Sequence, residues 1–171
     1  MNRLKLIFPT LEMEQQALAF RRECFENGET EIQGDGGFDY AENYADWIAK
    51  INADLTSEEN PYVPATLYFA FDGDKLVGVT QIRHRLNAEL LKCNGNIGYH
   101  IRPSERRKGY ATEMLSLVLK KCRELGLEKV LVSCDNDNFG SAKTILKNGG
   151  VLENEVLVDD GAIVQRYWIT L

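Results

Sequence analysis

The most constraining feature of this chain is a strand that runs through a basic turn into an amphipathic helix. Residues 96–102 are mostly apolar, and residues 109–125 carry apolar side chains at intervals of three and four. A helix N terminus presents unpaired backbone N–H groups and a partial positive charge. The turn that precedes it adds the cations Arg106, Arg107 and Lys108. This combination predicts a binding site for a phosphate or diphosphate group.

The ligand of this site is expected to be small. The chain of 171 residues has a net charge of −6, which disfavours a nucleic-acid backbone as partner. Residues 102–108 nevertheless contain four basic side chains and one acid. A basic spot on an acidic protein suits a compact anion better than a polymer, and the small residues Gly109 and Ala111 let its oxygens approach the main chain.

The remaining elements predict one α/β domain over residues 1–171. The predicted strands are 3–8, 65–71, 75–85, 96–102, 129–134, 150–158 and 162–170, and the predicted helices are 11–27, 44–55, 109–125 and 138–148. We expect Thr10 to cap the first helix. Because a helix connects strands 96–102 and 129–134, these two strands should lie parallel within a mixed, mostly antiparallel sheet that has helices on both faces.

Composition excludes several classes of protein. The four cysteines are scattered, so neither a disulfide framework nor a metal site is expected. No apolar stretch is long enough to span a membrane, and the N terminus does not look like a signal peptide, so we expect a cytoplasmic protein. The signatures of nucleotide hydrolysis, dinucleotide binding, zinc proteolysis and serine-hydrolase chemistry do not occur.

Two sequence blocks together resemble the GNAT (Gcn5-related) N-acetyltransferase superfamily. Arg106, Gly109 and Ala111 match its acyl-CoA-binding pattern, and the second block comprises Asn138-Phe139-Gly140-Ser141 and Lys147-Asn148-Gly149-Gly150. The resemblance covers residues 65–171 well. Within the superfamily, the sequence around the two blocks is similar to that of a bacterial group of predicted acetyltransferases with unassigned acceptors. It implies a single GNAT-like domain in which the two parallel strands splay apart, leaving a V-shaped slot for pantetheine.

The resemblance implies an N-acetyltransferase that moves an acetyl group from acetyl-CoA directly to a primary amine of a small molecule or peptide. Acetyl-CoA is the implied cosubstrate, without a metal. The implied contacts to it are Ile101, Arg102, Arg106, Arg107, Lys108, Gly109, Tyr110, Ala111, Thr112, Asn138 and Ser141. For the side chains of Asn138 and Ser141, capping of the helix that follows is an equally open interpretation.

Proton transfer is where the sequence departs from the family. Ile145 occupies the place of a tyrosine that commonly protonates the leaving thiolate, and Asn96 occupies the place of a glutamate base. His84, near the end of a strand beside Asn96, is the candidate base, and a structural histidine is the alternative. Asp135 and His100 are weaker candidates.

Three further questions stay open at the level of sequence. The missing tyrosine and glutamate also fit a non-catalytic acyl-CoA sensor, and the acyl group could be succinyl or propionyl. The acidic loop, residues 29–42, could attract a cationic amine or simply be solvated. The protein could be a monomer or a homodimer.

Overall fold

A computed structural model describes residues 2–59 and 61–171 and contains two antiparallel sheets. The first sheet has the order β1-β2-β3-β4 and the second has the order β5-β7-β6. The strands are β1 Leu4–Ile7, β2 Ala65–Asp72, β3 Lys75–Arg83, β4 Ile97–Ile101, β5 Lys129–Asp135, β6 Val151–Leu157 and β7 Ile163–Thr170.

Four α-helices in the described ranges cover the sheets: α1 Glu14–Glu26, α2 Tyr44–Asp54, α3 Tyr110–Glu124 and α4 Phe139–Lys147. Short 3₁₀ turns occupy Leu11–Met13 and Pro103–Glu105, and a π-helical turn occupies Leu90–Asn94. The Thr10 side chain makes no capping hydrogen bond, because the chain enters α1 through the first of these 3₁₀ turns. None of the helices in the described part of the chain is long and apolar enough to cross a membrane.

The helices pack on opposite faces and create two cores. On one face, α3 buries the predicted stripe that includes Met114, Leu115 and Val118 against both sheets. On the other face, α1 and α2 bury Phe20 and Trp47 against the first sheet. The predicted α/β class, with helices on both faces of the strands, is therefore confirmed.

The two sheets meet where β4 and β5 begin, at Asn96 and Leu131. The Asn96 N–H donates to the Leu131 carbonyl (2.7 Å), and the Leu131 N–H donates to Asn96 Oδ1 (2.9 Å). Farther along, Tyr99 lies near Cys134, so the two strands run in the same direction. They form no ladder beyond Asn96, which divides the predicted single sheet into two and leaves the predicted splay between β4 and β5.

Candidate active site

The turn before α3 forms a concave run of backbone N–H groups. Arg107 (φ 63°) and Gly109 (φ 85°) both adopt the left-handed conformation, which in alternation with ordinary residues produces an anion-binding nest. Among residues 2–59 and 61–171, no acceptor bonds the six consecutive N–H groups of residues 107–112. This run fits a diphosphate, because such a group has several oxygens that accept hydrogen bonds.

The side chains around this turn divide between structural roles and free charge. Tyr110 Oη donates to Asp72 (2.5 Å), and Lys108 Nζ pairs with the buried Glu105 (2.9 Å). Arg107 is exposed and has no ion pair within the described residues. Arg102 lies on the α1 side, where its Nε donates to Glu23. Tyr110 therefore offers the ligand its main-chain N–H, and Arg107 can offer its guanidinium. Arg102 is held within the protein, because its N–H donates to the Val77 carbonyl and its own carbonyl accepts from the Glu105 N–H.

The edge of β4 that faces β5 carries unpaired main-chain groups. In an antiparallel pair, alternate residues direct both their N–H and C=O toward the partner strand. Arg83 N–H bonds the Asn96 carbonyl and Arg102 N–H bonds the Val77 carbonyl, so the Asn96 carbonyl and both main-chain groups of Gly98 and His100 face β3. The N–H groups of Ile97, Tyr99 and Ile101 consequently face the gap between the sheets.

A pair of hydroxyl groups crosses this gap. Tyr99 Oη lies 2.6 Å from Ser141 Oγ, which links β4 to the first turn of α4. Burial raises the pKa of Tyr99 to about 12, so the phenol keeps its proton at neutral pH. Cys134 is also close to Ser141. Asn138 caps α4, since its Oδ1 accepts from the Ser141 N–H (3.1 Å), and this leaves Ser141 Oγ available to Tyr99.

Sequence reasoning missed Tyr99, although period-two alternation along β4 could have found it. Residues 97, 99 and 101 point toward the α3 side, and Ser141 opens the helix on that same side. Ile145, which stands in the usual tyrosine place, is fully buried in the core. The hydroxyl groups at the gap therefore come from Tyr99 on β4 and from Ser141 in the first turn of α4, and position 145 in α4 supplies none.

Arg106 points back toward β4 and the acidic loop. Its Nε donates to the Ile101 carbonyl (3.0 Å), and its Nη2 lies 3.0 Å from His100 Nε2 and 2.6 Å from Glu29 Oε1. Glu29 Oε2 also lies 2.7 Å from His100 Nε2. With Cys24, Glu29 and His100 form a trio of potential metal ligands, but the guanidinium already supplies a cation to two of the three.

Burial and charge give the members of this cluster defined protonation states. Burial raises the pKa of Glu29, yet hydrogen bonds from His100 and Arg106 outweigh it and leave the pKa below its usual value. Burial lowers the pKa of His100. At neutral pH the cluster therefore contains a charged carboxylate, a charged guanidinium and a neutral imidazole.

His84 is not brought to the gap. Its Nε2 lies 2.7 Å from Thr66 Oγ1, on β2, and two strands of the first sheet separate Thr66 from the open edge of β4. Burial lowers the pKa of His84. The candidate base would have to leave Thr66 to act on a substrate in the gap, and its catalytic role stays a prediction.

Some carboxylates of the acidic loop accept hydrogen bonds from N–H groups of the same loop. The buried Asp35 accepts hydrogen bonds from the N–H groups of Gly37 (2.8 Å) and Asp39 (2.6 Å). Gly34 packs on β4 so closely that a Cβ there would lie 2.3 Å from the Gly98 carbonyl carbon. The loop is thus held against the face of β4 opposite α3, and Asp35 and Asp39 are used within it.

Comparison with known proteins places this geometry in a family. A family profile described as an acetyltransferase (GNAT) domain matches residues 14–151, and no protein of curated function matches the sequence. The structure of the microcin C7 self-immunity acetyltransferase MccE, solved with acetyl-CoA and AMP, is similar, with a TM-score of 0.73 at 18% identity, covering 98% of this chain and 92% of that one.

Two further solved structures share the fold. An acetyltransferase from Salmonella typhimurium that modifies the N-terminal serine of ribosomal protein L7/L12 has a TM-score of 0.69 at 16% identity, covering 98% of this chain and 95% of that one. The dodecameric spermidine N-acetyltransferase from Vibrio cholerae has a TM-score of 0.67 at 15% identity, covering 98% and 94%. Because the matched profile spans most of the sequence, the chain belongs to the GNAT acetyltransferase family and is an acyltransferase.

Proposed function

We propose that the protein transfers an acetyl group from acetyl-CoA to the α-amino group of a peptide. The observation that carries this proposal is the run of unpaired N–H groups at residues 107–112, together with the unpaired edge of β4, which ends a few residues earlier in the chain. One ligand that is both a diphosphate and an extended diamide can use both sets of donors. Relatives of the same fold bind acetyl-CoA or act on amines.

In this proposal the chain holds the acyl donor mainly through its backbone. The N–H groups of residues 107–112 bind the diphosphate, with Arg107 as a mobile cation. The N–H groups of Tyr99 and Ile101 pair with the pantetheine arm and polarise the thioester carbonyl. Asn138 and Ser141 line the opposite wall. Most of the rate enhancement then comes from positioning and from stabilising the oxyanion.

The Tyr99–Ser141 pair is the proposed source of the proton for the departing thiolate. Both hydroxyls lie at the gap, and their 2.6 Å contact lets either one donate through the other. The donation is helpful rather than essential, because a thiol has a pKa near 8.5. Releasing it as a thiolate at pH 7 costs only about 2 kcal/mol.

The acceptor class follows from proton handling and charge. Asn96 cannot accept a proton, and His84 is bonded to Thr66. With neither Asn96 nor His84 free to take the proton, the enzyme suits amines that are already partly neutral, and α-amino groups have a pKa near 8 whereas alkyl amines have a pKa near 10.4. Glu29, Asp35 and Asp39 make contacts within the protein, which leaves less free negative charge for a polycation.

The test measures thiol release from acetyl-CoA with matched acceptors. One peptide that begins with serine is offered with a free and with a blocked amino terminus, beside spermidine, and products are weighed by mass spectrometry. We expect turnover only with the free terminus. The same assay with succinyl-CoA and propionyl-CoA in place of acetyl-CoA tests whether the enzyme transfers another acyl group. Tight CoA binding without turnover for any amine would support a sensor instead, and absence of CoA binding would refute the proposal.

A further inference from the structure

We propose that Arg106 is a positioning residue for the acceptor side of the site: together with Glu29 it clamps the acidic loop against β4, and it does not serve as a phosphate ligand. The reference to an acceptor rests on the proposed function. The structural part of the proposal, the clamp itself, can be tested without catalysis.

Two of the three nitrogens of the Arg106 guanidinium contact other groups of the protein, and Nη1 has no partner among the described residues. Nε is bonded to the Ile101 carbonyl, and Nη2 lies against both His100 and Glu29. These contacts aim the planar fork at β4 and the acidic loop, away from the N–H groups of residues 107–112. A guanidinium has a fixed fork geometry, so it cannot keep these partners and also turn toward a diphosphate.

The next residue along the chain has the opposite character. Arg107 is exposed, lies in the left-handed conformation and makes no ion pair with any described residue. It carries the same charge as Arg106 and is one residue nearer to α3. The two adjacent arginines therefore have different roles, since Arg107 can bind an anion and Arg106 is bonded to other groups of the protein.

Glu29 is the loop's side of the clamp. One carboxylate oxygen meets Arg106 and the other meets His100, and the side chain is only 18% exposed. Hydrogen bonds to a charged group in such a setting are stronger than those between neutral groups. Farther along, the loop is also held by the close contact of Gly34 with Gly98 and by hydrogen bonds from the Trp47 and Arg21 side chains to its carbonyl groups. Removing Glu29 or Arg106 therefore frees the anchor at the start of the loop and should loosen the residues that follow it.

This clamp sits where it can influence the acceptor. The open edge of β4 offers its donors at Ile97, Tyr99 and Ile101, and the acidic loop covers the neighbouring face of the same strand at Gly98 and His100. A loop that moves here changes the wall that an approaching amine meets. It leaves the backbone donors of residues 107–112 in place.

Four alanine variants form two matched pairs. Arg106→Ala is compared with Arg107→Ala, which removes the same charge from the next position. Glu29→Ala is compared with Glu31→Ala, which removes the same charge from the same loop, where Glu31 accepts a hydrogen bond from Gln33 Nε2 (2.9 Å). Amide hydrogen exchange of residues 30–42 reports the loop, and calorimetry with coenzyme A reports the cofactor site.

We expect Arg106→Ala and Glu29→Ala to speed exchange in residues 30–42 by about tenfold, as for loss of one charge-assisted contact. Both should leave the Kd for coenzyme A within about threefold of wild type. Arg107→Ala should do the reverse, with about tenfold weaker binding and unchanged exchange, and Glu31→Ala should change neither. Arg106→Lys keeps the charge and should recover part of the protection.

Kinetics with the serine peptide extend the test to the acceptor. The two clamp variants should raise its KM about tenfold with little change in the KM for acetyl-CoA. The inference is overturned if Arg106→Ala weakens coenzyme A as much as Arg107→Ala does, or if Glu29→Ala leaves exchange in the loop unchanged. A wild-type protein that binds coenzyme A but acetylates nothing would refute the proposed function, while the exchange data would still decide the clamp.

Discussion

A valine at either end of α3 offers a direct test of the backbone cradle. Gly109 begins the helix at φ 85° and Gly126 follows its end at φ 81°. A β-branched residue is a genuine outlier in this conformation, at a cost of roughly 1–2 kcal/mol. Neither position is crowded, because a Cβ at Gly109 would meet only Arg3 Nη2, at 3.6 Å, and a Cβ at Gly126 meets nothing within 4 Å.

The two variants should therefore lose similar stability and differ in function. For a chain of this length, about 1 kcal/mol corresponds to a fall in Tm of roughly 2–4 °C. To relieve the strain, Gly109→Val must rotate the main chain in the middle of residues 107–112. Losing two hydrogen bonds to a charged diphosphate costs at least about 3 kcal/mol, or about 150-fold in affinity.

Isothermal titration with coenzyme A measures the affinity, and thermal unfolding of the free proteins measures the stability. We expect Gly126→Val to bind like wild type and Gly109→Val to bind at least about 100-fold more weakly. Wild-type affinity in Gly109→Val would refute the cradle. Equal loss of affinity in both variants would show that the effect comes from destabilisation of the helix.

The other predictions concern protons. Ser141→Ala and Tyr99→Phe should each lower kcat at pH 7 by at most about 30-fold, the equivalent of releasing an unassisted thiolate, and the deficit should shrink by pH 9 in a pH profile. Burial raises the pKa of Asp35 to about 7, so the native state binds this proton more tightly than the unfolded state, and stability is lost as pH rises through 7. Asp35→Asn should remove this fall in urea titrations at pH 4.5 and 8; an unchanged slope would contradict it. Burial raises the pKa of Glu23, but bonds from Ser104 and Arg102 lower it to about 2, so Glu23→Gln should cost about 1–2 kcal/mol at pH 7, and the difference should vanish as pH falls toward 2.

Local patterns predicted the elements of this fold well. The apolar repeat of α3 and the Asp72-Gly73 turn between β2 and β3 depend on neighbours in the sequence, and both appear where expected. The anion turn was also readable, because Gly109 and the cations around it follow one another in the chain. The missing cap at Thr10 was not, because the chain enters α1 through a 3₁₀ turn.

Side-chain partners across the chain could not be read in this way. His84 stands beside Asn96 in the predicted strand order, but its ring turns to Thr66, eighteen residues earlier. Arg106 matches an acyl-CoA motif, yet it reaches Glu29 from a distant loop. The first pairing depends on the register of the β2–β3 hairpin, and the second depends on how the acidic loop packs on β4.

The junction at Asn96 has a consequence for which acyl groups the enzyme accepts. Asn96 is 3% exposed and is bonded to Leu131 by main chain and side chain, and a Cβ on Gly95 would lie 2.4 Å from the Leu131 carbonyl oxygen. The vertex of the V therefore has no spare volume and cannot widen without breaking these bonds. In the proposed binding mode the acyl end of the donor points toward it. The junction would then limit the length of the acyl chain, because each added methylene group would collide with the closely packed residues Asn96 and Leu131.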